Sequence, residues 1–313
     1  MRIRCGPVSQ WSGRLPWSPQ QRSFDDSSLC SVVQQLVLVA RHCQIRAKGG
    51  HGVTVPRRSA SSYTLITAHF GDRDWITHTL GQVDQFSGHE LQAVVVIDQS
   101  RSAASYLRRL PRVTDIVTVP RNIDQEILLG HDHATSLNAV VHGYSFATER
   151  VVVLDSDCFP LRQDWLGSGS SVRMAQDPMK HGLTHPCFMD FPTAARSHLD
   201  FAEGLMEVGI DTGRLAGLQL ARAGYSVDIL DAKPAFRGFR GHFYDNSRIY
   251  HHGSGSFLDH PDRRLSSQVH VNSERLLRSR AFAGEFDLPK TDTARLILGR
   301  VLHKLRQPPS DVL

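Results

Sequence analysis

The sequence predicts an α/β fold, a mixed and mostly parallel sheet flanked by helices, with further helices at its C-terminal end. Three observations carry this expectation. From Ser62 onward, short apolar runs alternate with longer segments of helical period, and the pattern repeats. The 313 residues suit one large α/β domain with appendages. With 40% hydrophobic and 21% charged residues, the chain can bury a substantial core and is neither collagen-like nor wholly disordered.

The elements follow in chain order. Residues 1–60 mix Ser, Gln, Arg, Pro and Gly around a single apolar patch at 31–40, and they read as a poorly ordered basic leader. Its Arg-rich, Ser-rich, acid-poor character is that of a transit peptide; a disordered tail or a mis-set start codon is the plainer reading. The main domain is expected over 61–260. Strands are predicted at 63–68, 91–97, 115–119 and 151–154, largely parallel, with helices at 74–85, 103–110 and 134–147. After Asp157 strands become scarcer and loops longer, with a helix over 212–223 and a last strand at 248–251. Residues 261–313 form a C-terminal helical extension, with helical period over 273–280 and 292–306. Its final helix carries Arg295, Arg300, Lys304 and Arg306 beside an apolar face. Such a helix packs on its own domain with the basic face solvated, the alternative being peripheral contact with an anionic membrane.

Composition narrows the function classes. The formal charge of +5 belongs to the leader: residues 1–60 hold nine Lys or Arg against two Asp, whereas the remainder holds 27 basic and 29 acidic residues. A near-neutral folded domain without zinc-finger, RRM or helix-turn-helix spacing argues against nucleic acid as a partner. The five cysteines are an odd number with no C-x-x-C pair, which points to a reducing, cytoplasmic setting. No apolar stretch approaches the roughly 18 residues that cross a bilayer.

The strongest local signal is Val151-Val152-Val153-Leu154-Asp155-Ser156-Asp157, an apolar strand running out into two carboxylates one residue apart. Ligands of open α/β sheets bind beyond the carboxyl ends of strands. Two such acids can reach one hard cation, and Mg²⁺ or Mn²⁺ held this way completes its shell with water and substrate phosphates. The structural alternative is that Asp155 opens a turn and Asp157 caps the next element. A second predicted strand ends in Asp98, whose carboxylate can accept hydrogen bonds from a ribose hydroxyl or a base imino group. The first offers the Thr67 hydroxyl in a comparable place. The three strand ends are expected to face one crevice.

Together with the helix that begins Gly130-His131-Asp132-His133-Ala134 and the later His251-His252-Gly253-Ser254 segment, these pieces resemble the family 2-like glycosyltransferases of the GT-A fold, from about Ser62 to Phe257. The resemblance implies a nucleotide-sugar half over 61–157 and an acceptor half over 158–260. It implies a nucleoside diphosphate sugar as donor, a hydroxyl acceptor on a glycan, lipid or protein, and Mn²⁺ or Mg²⁺ as cofactor. Thr67 and Asp98 would contact the nucleotide, His133 would border the donor pocket, Asp155 would lie near the ribose or metal, and Asp157 would bind the metal. His251 aligns with a late histidine that approaches the metal, with its neighbour His252 left open as the alternative. Asp211, at the start of the 212–223 helix, is the candidate catalytic base, although Ile210 stands where the family often has Glu; an acid there is also a favourable helix cap. His181, His185, Cys187 and Asp190 lack a regular ligand rhythm and are expected to line or fill an acceptor loop. Two other readings compete. One is a phosphatase of the haloacid dehalogenase type, whose nucleophile loop is also an apolar strand followed by Asp-x-Asp. The other is a non-catalytic relative that only binds a sugar nucleotide.

Overall fold

The structure, a computed structural model, describes residues 61–100, 105–119, 129–167, 171–178, 182–203, 212–236, 240–253, 268–286 and 298, without the side chains of 129–131 and 268–270. The expected basic leader, and apart from Leu298 the 292–306 helix with the membrane contact assigned to it, lie outside the described residues. Among the described residues no helix is long and apolar enough to cross a membrane.

The chain runs β1 (Tyr63–His69), α1 (Arg73–Phe86), β2 (Leu91–Asp98), β3 (Val113–Thr118), α2 (Leu129–Gly143), β4 (Arg150–Asp155), β5 (Cys158–Pro160), β6 (Val172–Gln176) and β7 (Thr184–Pro192). It continues through α3 (Ala216–Arg222), β8 (Val227–Leu230), β9 (Lys233–Pro234), β10 (His242–Tyr244), β11 (Ile249–His251) and α4 (Gln268–Phe282). Seven strands form a mixed sheet in the order β3-β2-β1-β4-β7-β6-β8, and four short ones a second sheet, β5-β11-β10-β9. The β3, β2, β1 and β4 ladders are parallel, as the apolar runs predict, whereas β7 runs antiparallel to both β4 and β6. The fold class is therefore α/β with a mostly parallel, Rossmann-like half.

Alternation along the strands builds two cores, one on each face. Leu65, Val94, Val96, Val152 and Leu154 pack under Ile76, Leu80 and Val83 of α1. The residues between them, Ile66, Val95, Ile97, Val151 and Val153, pack under Leu137, Val140 and Val141 of α2. The Asp72 carboxylate caps α1, accepting the amide N–H groups of Asp74 and Trp75 at 3.0 and 3.1 Å. A third cluster joins Trp75 of α1, Phe159, Tyr250 and Phe236 of the small-sheet region, and Leu277 of α4.

Two expectations about the elements are corrected. In place of the predicted 103–110 helix, the described part holds only a 3-10 turn at Leu107–Arg109. Pro111 follows directly and disfavours helical geometry at Leu110, which is extended (ψ 150°). The region after Asp157 is rich in strands, not poor in them. Those strands were hidden because they are short, as at His242–Tyr244, or because Pro186 and the buried Asp190 break the apolar pattern of β7.

Asp190 explains its own place in that strand. It is fully buried, with Arg150 Nη2 at 2.7 Å and Arg173 Nη1 at 3.7 Å, and Arg173 in turn holds Asp245 at 2.5 Å. Removing one partner of a buried ion pair strands the other charges. We expect Asp190→Ala to lose about 3–5 kcal/mol of stability, read as a lower urea midpoint with an unchanged slope.

His78 of α1 stacks on Phe282 at a 4.3 Å centroid distance and meets Phe159 edge-on at 4.6 Å. Burial pushes its pKa down to about 4 from the ordinary 6.5. Between those values the unfolded chain binds more protons than the folded one, so this contribution is complete above the unfolded pKa and is lost as pH falls toward the folded value. Replacing His78 with Phe is expected to flatten the acid limb of a stability–pH profile measured by denaturant titration.

Candidate metal centre

The acids are presented by a strand end and a tight turn. Asp155 closes β4 in phase with Val151 and Val153, the face covered by α2, and this brings it to His133 of that helix, Nε2 to Oδ1 3.6 Å. The Asp155-Ser156-Asp157 turn into β5 is held from two sides. The Ser156 carbonyl accepts the Thr79 hydroxyl of α1 at 2.7 Å, and the Asp157 carbonyl accepts the His252 amide N–H at 3.0 Å.

His251 arrives because β11 pairs antiparallel with β5, His251 facing Cys158. Its Nε2 lies 3.6 Å from Asp155 Oδ2 and 3.4 Å from Asp157 Oδ1. One ligand atom from each of Asp155, Asp157 and His251 falls within 4.8 Å of the others. A six-coordinate cation with bonds near 2.1 Å places adjacent ligands about 3 Å and opposite ligands about 4.2 Å apart, so this set fits one after small adjustments. Asp157 is nearly closed off, with 3% of its side chain exposed, while Asp155 keeps 18% open to solvent.

The electrostatics follow from burial. Desolvation raises the Asp155 pKa, opposed by His133 and His251. For His251, burial disfavours the charged ring, but Cys187 and Asp157 outweigh it and hold the imidazole well above its ordinary value. The Cys187 thiol shows the reverse balance: burial pushes it up, and a hydrogen bond from Cys158 together with His251 and His185 brings it below its ordinary range.

The expected residues do not all converge. His252 is 1% exposed and is turned away from the acids. Its Nδ1 pairs with the Tyr250 hydroxyl at 2.8 Å and its Nε2 with Glu274 of α4 at 3.3 Å, and its ring lies 4.7 Å from Trp75. Adjacent strand residues face opposite sides, so only one histidine of the pair can reach the acids. Burial lowers the His252 pKa despite Glu274.

Thr67 is fully buried within the β1 ladder, its Oγ1 without a hydrogen-bond partner among the described residues. The strand runs on to His69, which takes the end position, and Thr67 offers no surface to a ligand in this conformation. Asp98 pairs in register with His69 and accepts the Ser100 amide N–H at 2.9 Å. It stands two strands from Asp155, about 10 Å across the sheet, and in the opposite phase. Asp211 and His181 lie outside the described residues.

Two groups differ from the sequence reading: His185 and Cys187, expected in an acceptor loop, lie on β7, and Glu274 and Arg240 were not singled out. His185 and Cys187, two apart on β7, converge with His251; because β7 is antiparallel to β4, its first residues reach the end where the acids emerge. Their i, i+2 spacing was the available signal, hidden by Pro186. Glu274 and Arg240 form the second group. Arg240 Nη2 lies 2.6 Å from Glu274 Oε1, and its Nη1 donates to the Gly253 carbonyl at 2.8 Å. Gly253, at φ +79°, turns the chain straight after the histidines.

No protein-family model and no curated protein matches this chain. Among solved structures, one that is similar is a mannosyltransferase from Pyrobaculum calidifontis in complex with GDP-Man and Mn²⁺. It is 14% identical, covers 90% of this chain and 81% of that one, and superposes with a TM-score of 0.41. A likeness this distant carries no chemistry from one chain to the other.

The two histidines separate experimentally. His251→Ala is expected to weaken Mn²⁺ binding by roughly tenfold or more, and also to lower the melting temperature of the metal-free protein, because it takes the imidazole away from two buried carboxylates. His252→Ala, which removes the partner of the buried Tyr250 hydroxyl and one of the contacts of Glu274, is expected to lower the melting temperature while sparing Mn²⁺ affinity in the fraction that stays folded. Calorimetry and thermal unfolding on both variants make the comparison. Protons compete for His251, so Mn²⁺ affinity should fall on acidification.

Proposed function

We propose that the chain is a metal-assisted glycosyltransferase that moves a sugar from a nucleoside diphosphate sugar to a hydroxyl acceptor. The observation that carries this reading is the convergence of Asp155, Asp157 and His251 at the carboxyl end of β4. Two carboxylates and an imidazole suit Mn²⁺ or Mg²⁺ and leave coordination positions for a diphosphate. Bound there, the cation would neutralise charge developing on the departing diphosphate.

The chain's own residues have defined tasks in this reading. Asp155 and Asp157 hold the cation, His251 completes the ligand set, and His133 borders the donor diphosphate from α2. To meet Asp98, two strands away, the donor would pass over the end of β1 to the opposite face of the sheet. Asp211 remains the candidate base that takes the acceptor hydroxyl proton as the oxygen attacks the anomeric carbon. Asp211 itself lies outside the described residues; two residues further on, the chain is tied to β7. The Gly213 and Arg214 carbonyls both accept the Thr184 hydroxyl at 3.1 Å, and Thr184 adjoins His185 at the start of β7. The reading includes a cytoplasmic setting, in keeping with buried, free Cys158 and Cys187.

The test is turnover of a panel of nucleoside diphosphate sugars with Mn²⁺, with and without acceptors. We expect donor hydrolysis and transfer to be lost together in Asp157→Ala, by roughly 10²–10³-fold, and to be abolished by chelator in the wild type. Full activity of Asp157→Ala in chelator would overturn the mechanism. Tight donor binding without turnover over the whole panel would favour a binding protein instead, and phosphate release from simple esters without any sugar donor a phosphatase.

A further inference from the structure

We propose that His185, Cys187 and His251 form a second, softer cation site beside the acidic pair, one that takes Zn²⁺ or a comparable borderline divalent ion. This site goes beyond the transfer reaction and does not depend on it.

Geometry carries the proposal. One ligand atom from each of the three residues lies within 4.8 Å of the other two. The His185 and His251 rings stand 5.0 Å apart at 46°. Cys187 and His251 are buried, and His185 is partly open, which leaves one side for an incoming ion. His185 Nδ1 accepts the Cys187 amide N–H at 3.1 Å, so its lone pair already points toward Cys187, and a cation beside Sγ can take it in exchange for that hydrogen bond.

Ligand chemistry selects the ion. Two imidazoles and a thiolate make a donor set that Zn²⁺ binds tetrahedrally, with the fourth position for water or a neighbouring carboxylate. Mg²⁺ and Mn²⁺ prefer oxygen and gain little from sulfur. On binding, the cation replaces the thiol proton of Cys187 and any proton on His251, and both go to solvent. His251 belongs to both sets, so an ion held by the sulfur set takes a ligand from the carboxylate set. Zn²⁺ should therefore antagonise Mn²⁺ through the shared imidazole.

The fold explains why the two sets abut. Leu154 of β4 pairs with Phe188 of β7, so the next residues, Asp155 and Cys187, sit at one level of the sheet. Across the small sheet, His251 faces Cys158, one residue from Asp157. A hard and a soft set thus share one imidazole.

Cobalt substitution on the full chain, reduced and freed of metal, tests this directly. Co²⁺ is expected to produce a near-ultraviolet sulfur-to-cobalt charge-transfer band that saturates with one site and is abolished by Zn²⁺. The band should vanish in Cys187→Ser and weaken in His185→Gln, with Zn²⁺ affinity reduced by roughly tenfold or more in each. Electron paramagnetic resonance of Mn²⁺ on the same samples keeps the two sites distinct: Mn²⁺ binding should survive Cys187→Ser, and added Zn²⁺ should release Mn²⁺ from the wild type. His185→Gln, at a partly exposed position, reads the site should the buried serine variant fail to fold. A wild-type protein that binds Co²⁺ without the sulfur band, or a band that persists in folded Cys187→Ser, would overturn the proposal. A sulfur band without any Mn²⁺ binding would leave this site standing and remove the metal-assisted transferase.

Discussion

The constraint on which the structure turns is the burial of two carboxylates side by side at the end of β4. Asp157 is all but sealed and Asp155 only partly open, so their negative charge has little water to share it. What makes the arrangement tolerable is imidazole on two sides, His251 between the acids and His133 beside Asp155. Burial disfavours the charged imidazole of His251, but Cys187 and Asp157 outweigh it and raise its pKa, so the surroundings favour positive charge at this point. A divalent cation at the same point meets the same need, which is why charge balance and ligand geometry agree.

Much of the surrounding fold serves to hold that point still. Thr79 from α1 and the amide of His252 fix the two carbonyls of the acidic turn. His252 looks like half of a ligand pair in the sequence, but its ring is a strut: Tyr250 and Glu274 hold it, Arg240 braces Glu274 and the carbonyl of Gly253, and Trp75 covers it. The hairpin that brings His251 turns through Asp245, Asn246 and Ser247, all in the left-handed region, and Asp245 is tied by Arg173 to the main sheet. Arg173 also approaches Asp190, so one buried ionic network links the small sheet to the large one.

The reversal at β7 gives the centre its mixed character. Had β7 run parallel to β4, its first residues would lie at the far end of the sheet from the acids. Running antiparallel, it delivers His185 and Cys187 to them. A hard oxygen set and a soft nitrogen–sulfur set then meet at His251, and the response of the chain to different metal ions becomes a property of its topology.

The four parallel strands, α1, α2 and the acidic strand end were legible in the sequence because their signals are local. A near-continuous apolar run, a helical period and an acid just past it need no knowledge of what lies opposite. The strand pairings after Asp157 were not: β5, β9 and β10 are two or three residues long and carry no period, and β11, expected at 248–251, gives no local sign of its partner. The pairing of β11 with β5, and with it the choice of His251 over His252, is decided by register, which no single stretch of chain contains. Thr67 and Asp98 illustrate the same limit from the other side: their positions near strand ends were readable, but the threonine is buried two residues short of the end of β1 and alternation turns the aspartate to the opposite face. Side-chain type and local period are written along the chain, whereas which side chains share a space depends on pairing across it, and that is settled only when the sheet closes.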